Sequence, residues 1–142
     1  MFWPRACHGS VFGRNDMYFN VYLGALGVML IAANHVHCQD AAAGEKVFGK
    51  CKACHLVDSD QNRVGPSLKG VVGRTAGTLG DFKYSAAMVD AGKNGTVWDE
   101  ATLTTYLRDP KASVKGTKMA FVGLKADEDI ANVIAYLKQF PK

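Results

Sequence analysis

The chain has 142 residues, a length typical of one domain. Its 17 Lys and Arg against 13 Asp and Glu give a net charge of +4 and a pI near 8.9, which favours acidic partners or surfaces. The basic residues form no cluster with interleaved aromatic side chains, and there are no repeats or low-complexity segments, so a nucleic-acid-binding protein and a repeat protein are excluded.

The first element in the chain is an apolar run at residues 17–33, MYFNVYLGALGVMLIAA. Arg5 and Arg14 precede it, and the small residues of CQDAAAG at 38–44 follow it. A basic start, an apolar centre and a small-residue zone are the layout of a secretory signal. The apolar centre at 21–33 is shorter than the ~20 residues of a membrane span. The alternative is an uncleaved membrane anchor.

This segment predicts the division of the chain. Residues 1–41 are expected to be a leader, cleaved somewhere in 38–43, and residues 42–142 to be the mature domain. Cleavage removes Cys7 and Cys38. The predicted location is export to the periplasm, with membrane attachment only where the leader is retained.

The sequence CKACH at residues 51–55 places Cys51, Cys54 and His55 in the Cys-x-x-Cys-His pattern of c-type haem attachment. Both thiols would form thioethers with the haem vinyl groups, and His55 would be the proximal iron ligand. A disulfide oxidoreductase is the first alternative, but no strand-like alternation precedes the motif. A zinc site needs four ligands, and no further Cys or His follows His55. One covalently bound haem c is therefore predicted.

Helical spacing continues on both sides of this motif. Residues 41–55 predict a helix with Val47 and Phe48 on the face of Cys51. Residues 56–81 are rich in Gly and poor in periodic apolar positions, which predicts a long loop around the haem.

The sixth iron ligand has two candidates in the mature domain. Met88 lies in a short helical pattern at 85–92 that Ser85 opens, where a methionine filling the core is the better interpretation. Met119 lies in the loop KGTKMAF at 115–121, from which a single side chain can reach the face of a ring. We therefore predict that Met119 is the axial ligand.

Two further helices complete the expected all-α fold. Residues 99–109 read as a helix that stops before Pro110. The last helix follows Asp127, its predicted N-cap, and its apolar stripe should cross the first helix at Gly44 and Phe48. The stripe consists of Ile130, Val133, Ile134, Leu137 and Phe140. A domain of about a hundred residues makes a thin core, to which an apolar cofactor adds buried surface.

From residue 44 to residue 138 the chain resembles the class I cytochromes c of mitochondria and the bacterial periplasm. Five motifs keep the order of that family: CKACH, VGPSLKGVVGRTAG at 64–77, VWDEATLTTYLRDPK at 97–111, GTKMAFVGLK at 116–125 and DIANVIAYLK at 129–138. The resemblance implies a small cytochrome c fold, in which N- and C-terminal helices cross beside one covalently bound haem.

The resemblance also implies roles for residues around the haem. The carbonyl of Pro66 should accept the N–H of His55, and Tyr106 should lie near the sulfur of Met119. Four residues match the family's donors around the inner haem propionates: Arg74, Tyr84, Trp98 and Thr117. Lys115 departs from the family, since many relatives have proline there, and Met88 stands where a polar residue is common.

A His–Met axial pair leaves no open iron site, which suits an electron carrier and not an enzyme. The predicted function is the transfer of single electrons between respiratory or photosynthetic redox partners. The alternatives are a membrane-tethered subunit of an oxidase or dehydrogenase and, less favoured, a haem peroxidase or sensor.

Lysines close in sequence to the haem ligands predict the surface that such partners would bind. A positive rim would attract acidic redox proteins, and the alternative is an ordinary solvated surface. These lysines are Lys50, Lys52, Lys69, Lys111, Lys115 and Lys118. The protein is expected to be a monomer.

Overall fold

The structure, a computed structural model, describes residues 39–142. The predicted leader, with Cys7, Cys38 and three of the four histidines, lies outside the described residues. Within 39–142 there are five helices and no strand, which agrees with the predicted all-α class. They are α1 (Ala41–Phe48), α2 (Ala86–Lys93), α3 (Glu100–Arg108), α4 (Pro110–Ser113) and α5 (Asp127–Leu137).

Helix α1 is shorter than the sequence predicts. It begins after Asp40, whose carboxylate accepts hydrogen bonds from the N–H groups of Ala42 and Ala43, and it ends at Phe48. Glycine has a low helix propensity, and Gly49 follows directly. Hydrogen-bonded turns continue to residue 54, so the Cys-x-x-Cys-His segment follows the helix instead of belonging to it.

Helices α1 and α5 cross where the sequence predicts. A Cβ at Gly44 would lie 2.0 Å from the backbone oxygen of Asn132, so only glycine allows this approach. The rings of Phe48 and Tyr136 extend the contact, with centroids 5.4 Å apart. The side chain of Asn132 is buried in this crossing, and its Oδ1 accepts the N–H of Asp40 at 2.7 Å.

The middle helices begin at side-chain caps. Ser85 caps α2 and Asp99 caps α3, each accepting a backbone N–H three residues later. Pro110 ends the predicted third helix as expected, and it also opens the short helix α4, for which Asp109 is the N-cap.

The predicted cap of α5 is wrong. Ala126 occupies the N-cap position, and no side chain makes a cap hydrogen bond there. Asp127 is the first helical residue, and its carboxylate pairs with Arg108 at the end of α3. The apolar stripe is as predicted, since Ile130, Val133 and Ile134 are each at most 1% exposed.

Residues 56–81 form the predicted long loop, with no helix or strand. One isolated antiparallel bridge joins Thr75 in the loop to Val97, and the N–H of Gly70 donates to the carbonyl of Phe140 at 2.7 Å. Val57, Val71 and Ala76 are buried, so the loop forms part of the core. None of the helices in residues 39–142 is both long enough and apolar enough to span a bilayer.

Candidate functional site: an apolar cavity lined by His55 and Met119

A cavity of about 520 Å³ lies in the core of the described domain. That volume is within the usual range for cofactor sites, ~300–1,000 Å³. Its lining includes every site residue that the sequence analysis singled out: Cys51, Cys54, His55, Pro66, Arg74, Tyr84, Trp98, Tyr106, Thr117 and Met119. The fold therefore brings together, in one site, residues that lie up to 68 positions apart in the chain.

The two cysteines are held by the turns that follow α1. The N–H of Cys51 donates to the carbonyl of Phe48 at 2.7 Å, and the N–H groups of Cys54 and His55 both donate to the carbonyl of Cys51 at 3.0 Å. Both cysteines are half-buried, and no disulfide joins them. Burial raises the pKa of Cys51, an effect that neighbouring Lys50 partly offsets.

His55 is fixed by the loop that follows it. Its Nδ1 lies 2.7 Å from the carbonyl oxygen of Pro66, so that nitrogen carries the proton. A Cβ at Gly65 would lie 2.3 Å from the ring, so the loop backbone packs directly against the imidazole. Burial lowers the pKa of His55, which favours the neutral ring. Nε2 is then the nitrogen left to bind a metal.

Tyr106, a residue of α3, holds the side chain of Met119. The hydroxyl of Tyr106 donates to the sulfur of Met119 at 3.3 Å, and the N–H of Met119 donates to Oγ1 of Thr117 at 3.3 Å. Burial raises the pKa of Tyr106, which keeps the phenol protonated and able to donate. One lone pair of the thioether is thereby engaged, and the sulfur retains another for a metal.

Arg74 supplies a buried positive charge beside the cavity. Its guanidinium donates to the carbonyls of Ser67 at 2.9 Å and Lys69 at 3.2 Å. Burial lowers the pKa of Arg74 and raises the pKa of Tyr84. The charge interaction between the two groups partly offsets both shifts. Two of the five guanidinium N–H groups are used here, so the remainder can bind an anionic group.

Met88 fills the core, as the sequence predicts, and it also lines the cavity. It lies in α2, is 8% exposed and packs with the buried apolar residues. Phe48 and Val133, on the two helices predicted to cross beside the haem, line the cavity. The sequence pattern missed other apolar lining residues, which lie in the loop and in α3: Leu68, Val71 and Leu103. It also missed Lys83, a lysine next to Tyr84 at the cavity edge.

The lining fits a haem. Two thiols at one end can form thioethers, a neutral imidazole and a thioether can ligate iron, and the walls between them are apolar. Arg74, Tyr84 and Trp98 provide N–H and O–H donors that match carboxylate substituents. Within residues 39–142 no three His, Cys, Asp or Glu side chains are grouped as metal ligands.

The six lysines expected to meet partners fall into two groups. Three pair with nearby carboxylates: Lys50 with Asp129 at 3.6 Å, Lys52 with Glu45 at 3.9 Å and Lys69 with Asp60 at 2.9 Å. Within the described domain, Lys111, Lys115 and Lys118 form no ion pair, and Lys118 lines the cavity. Of these six lysines, the three without an ion pair therefore lie between residues 111 and 118, just before Met119.

Comparison with known proteins gives consistent matches. The family model for cytochrome c matches residues 41–141. A cytochrome c2 from Afifella marina is 54% identical over 100 residues, covering 70% of this chain and 81% of the relative. A cytochrome c2 from Blastochloris viridis is 44% identical over 126 residues, covering 87% of this chain and 92% of the relative. The solved structure of cytochrome c2 from Rhodospirillum centenum aligns with a TM-score of 0.68 at 42% identity, covering 72% of this chain and 99% of that one.

Proposed function

The chain belongs to the cytochrome c family, and on that premise we propose that it passes single electrons between respiratory or photosynthetic redox partners through His55- and Met119-ligated haem iron. It is an electron carrier and not an enzyme. Its cofactor is one haem c, attached through Cys51 and Cys54. The family membership confirms the predictions of fold, cofactor and function class.

The observation that carries the ligand proposal is the placement of His55 and Met119 in the lining of one apolar cavity. The bound haem supplies the one-electron chemistry, its iron passing between the ferrous and ferric states. Two protein ligands that stay in place leave no coordination site for a substrate. A carrier needs this property, because each transfer then changes charge without changing bonds.

The remaining residues hold these ligands in position. The Pro66 carbonyl keeps the proton on Nδ1 of His55 and fixes the ring orientation. Tyr106 holds the sulfur of Met119. Arg74 would bind a haem propionate with the N–H groups that the Ser67 and Lys69 carbonyls leave free. The peroxidase alternative requires Met119 to leave the iron, which the Tyr106 hydrogen bond opposes.

The apolar lining contributes by excluding water. Phe48, Leu68 and Leu103 line the cavity in which the charge of a haem iron would change. Water dipoles near that charge would have to reorient at every transfer. A dry cavity with few mobile dipoles lowers this cost, and burial also favours the ferrous state with its lower charge.

We propose that the chain is exported to the periplasm and that its leader is cleaved before Asp40. Asp40 caps α1, and its N–H is bound by the buried Asn132. Removal of the cap would cost ~0.5–2 kcal/mol. Within residues 39–142, the Asp40 N–H is the one donor to Oδ1 of Asn132. Its loss would leave this buried oxygen without a partner and would add ~1–3 kcal/mol. Gln39 also donates to Glu100, which Lys138 binds at 2.6 Å.

N-terminal sequencing of the exported protein should therefore begin at Gln39 or Asp40. Both positions lie within the predicted window of 38–43, and a start at either leaves the cap of α1 intact. A first residue at 41 or later would remove Asp40 and contradict the proposed boundary. Recovery of an intact leader in the membrane fraction would instead support the tethered alternative.

The proposed partners are acidic redox proteins that approach the unpaired lysines. Charge reversal by Lys118→Glu should slow electron transfer with an acidic partner at low salt, because Lys118 is exposed and lies at the cavity edge. Lys93→Glu is the matched control, since Lys93 is equally charged but pairs with Asp90 away from the cavity.

The rate with purified membranes that contain the partner should fall with added salt, since the screening length shrinks to ~8 Å at physiological ionic strength. Lys118→Glu should flatten that dependence, and Lys93→Glu should leave it nearly unchanged. Equal effects of the two variants would assign Lys118 to an ordinary solvated surface.

A further inference from the structure

The segment that carries Met119 is anchored to the C-terminal end of α3. The N–H of Leu124 donates to the carbonyl oxygen of Leu107 at 2.8 Å, and Leu124 is buried. The last carbonyls of a helix have no partner within the helix. The segment after Met119 therefore supplies a donor that α3 itself lacks.

Gly123 makes this anchor possible. Its φ is +88°, a value that residues with a Cβ rarely adopt. A Cβ at this position would lie 2.1 Å from the carbonyl oxygen of Arg108, so the two backbones are packed in direct contact. Any other residue would have to push the segment away from α3.

The same end of α3 also holds the ligand itself. Tyr106, one residue before Leu107, donates to the sulfur of Met119. The last turn of α3 therefore positions Met119 in two ways. Tyr106 binds its sulfur, and the contact of Gly123 with the Arg108 carbonyl fixes the backbone four residues after it. At the other end of the segment, the N–H of Thr117 donates to the carbonyl of Val114 at 3.0 Å.

We propose that Gly123 is a positioning residue, whose close packing on the Arg108 carbonyl sets the register of the 117–124 segment and so keeps Met119 on the iron. The inference rests on the proposed ligation by Met119. According to this proposal, Gly123 strengthens the bond between Met119 and the iron, an effect that is separate from its contribution to folding.

The test is Gly123→Ala, with Gly95→Ala as a matched control. Gly95 has nearly the same φ, +87°, but a Cβ there would meet nothing within 4 Å. Both variants place a Cβ at nearly the same positive φ, and only Gly123→Ala adds the collision with α3. Gly123→Asn and Gly95→Asn form a second pair, because asparagine tolerates positive φ better than alanine.

In the ferric protein, Gly123→Ala should weaken the absorption band of Met–Fe(III) near the red end of the spectrum, measured per covalently bound haem. Imidazole, which competes for the iron, should bind about tenfold more tightly, a typical size for coupling between two sites. Gly95→Ala should change neither quantity, although both variants lose stability. Equal band intensity and imidazole affinity in the two variants would overturn the proposal.

A measurement on the wild-type protein does not depend on how the variants fold. Coupling is reciprocal, so displacement of Met119 by imidazole should loosen the anchor and speed hydrogen exchange at the Leu124 amide. The Gly70 amide, which donates to the Phe140 carbonyl at 2.7 Å, is the reference. Unchanged exchange at Leu124 would overturn the proposal, whereas a wild-type protein without the Met–Fe(III) band would instead refute ligation by Met119.

Discussion

Replacing Cys51 and Cys54 together by serine is expected to leave the protein without covalently bound haem and largely unfolded. The cavity of about 520 Å³ is lined by core residues of every long helix, so the cofactor fills the centre of the domain. At roughly 24 cal/mol per Å³, an unfilled cavity of this size would cost up to about 12 kcal/mol. Typical domains are stable by only ~5–15 kcal/mol in total.

Each single variant, Cys51→Ser or Cys54→Ser, should retain at most one thioether. The measurements are the pyridine haemochrome spectrum after extraction with acidified organic solvent, and far-ultraviolet circular dichroism. Ala53→Ser is the control, because it places a serine at an exposed position inside the same motif. Covalent haem at the wild-type level in the double variant would contradict attachment through these cysteines.

The second large effect is expected for Met119→Ala. Loss of the thioether should abolish the Met–Fe(III) band, lower the reduction potential and open the iron to small ligands. Imidazole should then bind at least ~10-fold more tightly, because no protein ligand competes; tenfold corresponds to about 1.4 kcal/mol. Covalent attachment should be unaffected, since Cys51 and Cys54 lie on another segment.

Met88 provides the control for Met119, because both methionines line the cavity. Met88→Leu conserves volume and should cost less than ~1.5 kcal/mol of stability. It should keep the Met–Fe(III) band and the reduction potential near those of the wild type. If Met88→Leu lost the band while Met119→Ala retained it, the sixth ligand would be Met88.

The sequence offered candidates for those parts of the site that depend on local chemistry, and the structure brings these candidates together in one cavity. Spacing alone identified Cys51, Cys54 and His55, because thioether attachment and ligation need adjacent residues on one turn. Comparing a loop methionine with a helix methionine favoured Met119 as the sixth ligand, which stays a prediction because both methionines line the cavity. The family resemblance contributed Pro66 and Tyr106, whose hydrogen bonds to His55 and Met119 are present in the structure.

Features that depend on tertiary contacts were not predictable in this way. Asp127 fits the pattern of an N-cap, but its carboxylate pairs with Arg108, a residue of another helix. Gly123 looks like an ordinary loop glycine until the carbonyl of Arg108 is seen against it. The pairing of Lys50 with Asp129 likewise joins residues 79 positions apart, so the list of unpaired lysines needed the fold.

The most direct test of the central claim is the response of the purified wild-type protein to carbon monoxide and to a redox titration. A carrier with His55 and Met119 on the iron should be reduced reversibly by one electron. It should show the Met–Fe(III) band when oxidised, and when reduced it should keep an unchanged spectrum under carbon monoxide at neutral pH. Rapid binding of carbon monoxide to the reduced protein, with no Met–Fe(III) band in the oxidised form, would show an open iron site and contradict the electron-carrier account.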